Sequence, residues 1–428
     1  MERNGLKSLN ETAQEIVGAR CYNRGKGGCV LTKEIPYKKT ILVVFSMIAI
    51  LLLVGLMDDL FAFQKSSKAT QRIGKQDVRT AQVVANGDIL LHDVLYTSAE
   101  KPDGSYDFTP YFEFVKERIS KADLAIGDFE GTISPDDPLA GYPLFNAPPT
   151  IANAMKATGY DVVDLAHNHI LDSGLAGALH TKKTFEKLGL STVGIYEKNR
   201  ETEDFLIKKV NGINIAILGY SYGYNGMEGN LTEDEYQKHL SDFNQDKMKT
   251  DIQKAKEKAD VTIVMPQSGT EYALEPTEEQ KTLYRSMIDW GADVVLGGHP
   301  HVVEPAEVIT KNHEKKLIIY SMGNFISNQR YETLGDIWTE RGLLMDITFE
   351  KKDKKTIIKT VKAHPTIVLA KAKSTFAKEG YELYNYRTLV LTDFIEGGKY
   401  RNQIDLETQQ KVDIAYKEMG QHVQLNWK

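Results

Sequence analysis

The residues able to do chemistry gather just after short apolar runs. Asp88 follows QVVANG, Asp128 and Glu130 follow DLAIG, and His167, Asn168 and His169 follow DVVDLA. Gln267 and Glu271 follow DVTIVM, and His299 and His301 follow DVVLGG. Carboxylate, amide and imidazole donors without sulfur suit one or two divalent ions, Mn, Zn or Fe better than Mg. Two ions about 3.5–4 Å apart would need a bridging carboxylate, for which Asp88 and Glu130 are the candidates. Gly297 and Gly298 would let backbone approach such a site closely, and Pro300 would stiffen the His-x-His pair. Each motif has a plainer reading by itself: His-x-His as a surface loop pair, Asp88 as a turn cap. Five strand ends carrying such groups are hard to explain as core satisfaction. His92, four residues after Asp88, is kept as a further residue that could line the site. His180, His239, His313, His364 and His422 read as ordinary.

These groups must be carried by an α/β scaffold. From Ala81 to about Glu350 strand-like and helix-like runs alternate. The strands expected are 82–87, 123–127, 161–166, 213–219, 260–265, 293–297 and 317–321. In α/β sheets of this kind, ligands bind beyond the carboxyl ends of strands, where the polar residues lie. Residues 277–290 predict a helix with a Thr277/Gln280 capping box and a stripe of Leu283, Tyr284, Met287 and Ile288. Residues 245–259 predict a charged helix with a solvated face. GYDVVDLAHNH at 159–169 and GADVVLGGHPH at 291–301 share one register. Two similar units would then present imidazoles at one sheet edge.

The rest of the chain says where this scaffold works. Residues 41–57, ILVVFSMIAILLLVGLM, carry no charge and are just long enough to span a membrane. Eight Lys/Arg against four Asp/Glu precede them, so residues 1–40 should be a cytoplasmic basic tail and the main domain should lie outside the cell. A cleaved signal peptide fits less well, because the basic region is long and no A-x-A-like site follows. Removing the tail's charges from the chain's 53 basic and 59 acidic residues leaves 45 and 55, a net of -10 on the exported part. That balance argues against a nucleic-acid partner. A single apolar run excludes a many-spanning membrane protein. Cys21 and Cys29, the two cysteines, both precede it, so a disulfide scaffold is excluded. Residues 58–80 read as a linker and 351–428 as a small appended layer.

The series GDILLHD (87–93), GDFEGTI (127–133), AHNHILD (166–172), QSGTEY (267–272), GGHPHV (297–302) and YSMGNF (320–325) resembles the capsule-synthesis CapA family. That family includes the poly-gamma-glutamate synthesis accessory protein and is a branch of the calcineurin-like metallophosphoesterases. The resemblance covers 81–350. It implies a four-layer α/β/β/α sandwich with two mixed sheets, preceded here by the N-terminal transmembrane helix. It also implies Asp88 as first metal ligand, Glu130 in the bridging position and Asn168 at a second metal. His299 and His301 would be ligands from the two halves of the site. His169 would be general acid, oriented by Asp172, and Asn324 would lie at the rim. Asp128 and His167 stand where Asn is common, and with Glu271 are expected near the rim. Gln267-Ser268-Gly269 replaces a usual His-Trp-Gly, which weakens one ligand of the second ion.

Two functions are expected from this reading. One is metal-dependent hydrolysis of a phosphoester or related bond in a surface polymer or its precursor. The other is a non-catalytic role beside other capsule-synthesis membrane proteins that make or export an anionic polymer. A wall-associated binding module without metal is a third.

Overall fold

The structure is a computed structural model. It describes Met57 and residues 78–198, 200, 205–373 and 382–427. The expected tail, the linker up to residue 77 and, Met57 apart, the membrane segment lie outside the described residues. Among those described, no helix is long and apolar enough to cross a membrane. The described residues from Val78 onward form one compact unit.

Fourteen strands are described: β1 (Val78–Leu90), β2 (Leu124–Glu130), β3 (Val162–Asp164), β4 (Ser191–Val193), β5 (Leu206–Val210), β6 (Ile213–Ser221), β7 (Val261–Gln267), β8 (Val294–Leu296), β9 (Ala306–Lys311), β10 (Glu314–Ile319), β11 (Asn324–Ile326), β12 (Arg341–Lys352), β13 (Lys355–Ala372) and β14 (Tyr384–Val390). They form two mixed sheets. The first runs β14-β13-β12-β1-β2-β3-β4, with β11 also paired to β1; the second runs β5-β6-β7-β8-β10-β9. β1 to β4 are parallel, as are β6, β7, β8 and β10. Antiparallel strands complete each sheet.

Side-chain alternation explains how the sheets are buried. On β6, Ile213, Ile215 and Ile217 share a core with Ala81, Val83 and Ala85 of β1. The intervening Ala216, Leu218 and Tyr220 pack with Met248 and Ile252 of the helix Gln245–Lys258 and with Tyr284 and Ile288 of the helix Glu278–Trp290. On β1, Val84 and Ile89 face a third core with Ile151 and Met155 of the helix Thr150–Thr158 and Phe185 of the helix Gly174–Lys187. The parallel strands are buried on both faces, hence their unbroken apolar runs.

The helix Glu278–Trp290 starts at the expected box: Thr277 accepts from the Gln280 N–H and Gln280 answers the Thr277 N–H. Losing such a cap typically costs about 1 kcal/mol. Residues after 350 extend the first sheet: β13 pairs along β12, and β14 forms its edge.

Candidate metal centre

The parallel strands of both sheets end at one place. Asp88 near the end of β1 pairs in register with Asp128 of β2 and Asn324 of β11. Glu130 closes β2 and Gln267 closes β7. Two loops beyond β3 and β8 supply His167–His169 and His299–His301. His299 (φ 93°) and His301 (φ 60°) both adopt left-handed backbone, a strain that a fold tolerates where its surroundings over-determine it. The glycines before them are required. A Cβ on Gly298 would lie 2.6 Å from the Gln267 side chain and 3.0 Å from Asp88 Oδ1, and one on Gly297 would strike the Tyr320 carbonyl.

His301 stands at the centre. Its Nδ1 lies 2.9 Å from Asp88 Oδ2, 3.2 Å from Asn324 Oδ1 and 3.9 Å from Glu130 Oε2. Burial disfavours its charged form, but Glu130 and Asp88 outweigh that and raise its pKa to about 9. Burial, with the Asp88 charge, raises Glu130 to about 7 against the opposing pull of His301. Asp88, Glu130 and His301 each offer a ligand atom within 4.8 Å of the others, a grouping that could hold a metal ion.

Around this trio the structure leaves acceptors without partners. Asp88 Oδ1, both Glu130 carboxylate oxygens, Asp128 Oδ1, Asn168 Oδ1, Gln267 Oε1 and His299 Nδ1 are buried without a hydrogen-bond partner. Orphaned buried acceptors cost free energy unless something positive meets them. Burial keeps His299 neutral, its pKa lowered to about 3, which is the form in which imidazole ligates. The donor set thus fits a divalent ion. Asp88, Glu130 and His301 would hold it.

The remaining expected residues fall into three places. His169 Nδ1 lies 2.8 Å from Asp172 Oδ2, which also accepts the Phe145 N–H at 2.6 Å. Burial lowers the His169 pKa, and the Asp172 hydrogen bond with the Glu130 charge more than reverses this. Asn168 donates to Asn225 Oδ1 at 3.3 Å. Asp128, placed near the rim in the sequence reading, is buried, and the Gln267 side-chain amide donates to it, joining the two sheets. Asn324, also expected at the rim, is fully buried beneath His301 and donates to its carbonyl at 3.2 Å. His167 is fully buried too, with Nε2 facing the Gly131 N–H at 3.4 Å. Glu271 is exposed, and its charge acts on Glu130 and His301.

His92 is half-buried, edge-on to Phe145 with ring centroids 5.3 Å apart, and receives the Asn328 N–H at 3.3 Å. His180, His239 and His422 are tied to backbone carbonyls. Sequence reasoning missed Asp164. It lies beside Asp128 across the β2–β3 ladder, and burial raises its pKa to about 8. Its only signal was an acidic residue inside an otherwise apolar run.

The bacterial capsule synthesis protein family PGA_cap matches residues 82–329, and the chain belongs to that family. The chain is 30% identical over 234 residues to the capsule biosynthesis protein CapA of Bacillus anthracis, covering 53% of this chain and 55% of that one. It is 29% identical over 314 residues to the PGA biosynthesis protein CapA of Bacillus subtilis (strain 168), covering 72% and 77%. The chain thus spans about half the length of the first relative. Among solved structures it is similar to the calcineurin-like phosphoesterase YfkN of Bacillus subtilis. That similarity has a TM-score of 0.43 at 18% identity and covers 67% of this chain and 90% of that one.

Proposed function

We propose that this protein is a membrane-anchored, metallophosphoesterase-like hydrolase of a phosphoester or related bond in a capsule or other surface polymer. The fold is then the four-layer sandwich, helices outside and the two sheets within; β13 and β14, expected as a separate appended layer, are strands of its first sheet. The N-terminus would be cytoplasmic, with residues 41–57 spanning the membrane once and the main domain outside the cell. Other capsule-synthesis membrane proteins would be its partners. The observation that carries the reading is the set of buried, unpartnered acceptors converging on Asp88, Glu130 and His301.

A divalent ion held there would supply Lewis acidity and charge neutralisation at a phosphoryl group. The chain's own residues would do the rest. Asp172 fixes the His169 ring and, with the Glu130 charge, favours its protonated form. That proton is available to the leaving oxygen. Hydrolysis adds water across the P–O bond, hydroxyl to phosphorus and proton to the departing alcohol. Asn324 and Asp88 hold His301 in place. The test is hydrolysis of bis(p-nitrophenyl) phosphate by the purified full chain with Mn added. Turnover that disappears in His301→Ala supports the reading; turnover unchanged by that substitution contradicts it.

Gln267 favours a second reading. An amide oxygen is a weaker ligand than imidazole, and the Gln267 amide group is committed to Asp128. A non-catalytic subunit in synthesis or export of an anionic polymer would retain the fold and one ion without turnover.

A further inference from the structure

One end of the molecule plays no part in the metal centre. The centre lies beyond the carboxyl ends of the parallel strands. At the rise of an extended strand, Val78 at the start of β1 lies about 33 Å from Asp88. Around that far end the turns of three hairpins gather: β5–β6, β9–β10 and β12–β13. They are tied to β1 and across the two sheets. Arg79 donates to the Gly212 carbonyl at 3.4 Å, and Asn211 to that of Thr80 at 3.0 Å. Lys351 lies 2.6 Å from Asp260, just before β7, and Lys355 lies 3.2 Å from Glu314 of β10.

These turns are basic in an acidic protein. Residues 208–212, 311–316 and 350–355 hold nine lysines against three acids, whereas the whole chain has a net charge of -6. Of those acids, Glu314 is also held by Lys316 at 3.0 Å and Glu350 by Lys359, while Asp353 at the turn offsets one charge. Lys209, Lys352 and Lys354 are exposed and have no ion pair among the described residues. Lysines on an edge strand can serve only to block sheet extension, but Lys352 and Lys354 flank the Asp353 turn, where there is no edge to block. Two exposed aliphatic side chains stand among these charges: Val78 pairs with Lys352, and Ile357 with Glu350.

Two features select the partner. The first is shape. Turn tips make a protruding face, and the hollow between Asp260 and Ile358 encloses about 10 Å³, too little to seat a residue of a polymer. A plane of headgroups needs no groove. The second is connection. The chain enters the compact unit here, and in sequence only residues 58–77 separate β1 from the uncharged run 41–57. A lysine close to an anionic lipid surface strengthens binding about fivefold, and salt screens the effect.

We propose that this basic end docks on the phosphate headgroups of an anionic lipid surface. The metal centre then faces away from the bilayer and meets surface polymer, not a lipid-linked phosphate within the headgroup layer. The inference rests on the membrane-anchored reading for its nearness to lipid, but docking and anchoring are measured separately.

The experiment offers the purified full chain to nanodiscs of neutral phosphatidylcholine and to nanodiscs that also contain phosphatidylglycerol. Acetylation by a water-soluble reagent is read lysine by lysine by mass spectrometry. Lys209, Lys352 and Lys354 should react about fivefold more slowly on the anionic discs and recover in high salt. Lys183, exposed on the helix Gly174–Lys187, should react equally on both. Lys352→Glu combined with Lys354→Glu should remove the shielding of Lys209 and leave metal content constant. Tyr222, 47% exposed with its ring 4.6 Å from that of His299, should stay open to radical footprinting on both discs. Equal reaction of the three lysines on both discs overturns the proposal, as does a shielded Tyr222. So does soluble γ-linked polyglutamate that shields the lysines on neutral discs as well as anionic lipid does. A chain that stays with both discs without shielding counts against this proposal alone. A chain that stays only with anionic discs and leaves them in high salt counts against the anchor alone, and one that stays with neither overturns both.

Discussion

His301 Nδ1 lies 2.9 Å from Asp88 Oδ2, although 213 positions separate them in the chain. Asp88 ends a strand of one sheet and His301 follows a strand of the other. Glu130 and Asn324 close on the same nitrogen. An imidazolium there answers two buried carboxylates, so removing it should do more than delete a ligand. His301→Ala should destabilise the metal-free protein by about 3–5 kcal/mol, the usual cost of breaking a buried pair. Adding Asp88→Asn should recover part of that loss. Urea unfolding in chelator measures both.

Gln267 tests whether the second set of donors is a weakened site. Gln267→His should raise the bound divalent ion toward two per chain and increase phosphodiester turnover. Metal analysis after dialysis against Mn gives the stoichiometry. An unchanged ratio would mean that the Asp128, Asn168 and His299 positions hold no second ion.

His169 and Asp172 should separate chemistry from metal binding. His169→Gln should lower kcat about 10²- to 10⁴-fold, as expected for loss of a general acid, and leave metal content intact. Asp172→Asn should fall between the two, since it keeps an acceptor for the Phe145 N–H but no longer favours the protonated ring. A substrate with a nitrophenolate leaving group needs less protonation, and both variants should lose less on it.

Glu304 offers a stability test away from the reacting groups. Burial raises its pKa from 4.5 to about 8, partly offset by the Gln280 amide. Between those pH values the folded chain keeps a proton that the unfolded chain has released. This group therefore lowers stability as pH rises through that window, and the loss is complete above about 8. Glu304→Gln keeps an acceptor for Gln280, which lies 2.7 Å away. The variant should match the parent at pH 5 and melt a few degrees higher at pH 9. Thermal unfolding at the two pH values checks it.

What the sequence revealed, and what it hid, follows from length and burial. β2, β6 and β7 were legible because a strand buried on both faces needs a long apolar run. β3 and β8, three residues each, were legible from their Val-Val pairs, whereas the equally short β4 and β11 carry no such apolar run and went unread. The capping box at Thr277 is local chemistry and was read correctly. The donors stood out because they follow strands, yet their depth did not. Asp128 and Asn324 were placed near the rim and lie buried, because the pairing of Asp88 with both is a property of the sheet. Asp164 was passed over for the reason that hides most buried carboxylates: its burial depends on strands distant in sequence.

The most direct measurement is the divalent metal content of the purified full chain beside its Asp88→Asn and His301→Ala variants, after equal exposure to Mn and Zn and exhaustive dialysis. The account predicts at least one ion per parent chain and a loss of at least about tenfold in affinity for each variant. A parent chain that retains no ion, or variants that retain as much as the parent, would contradict it.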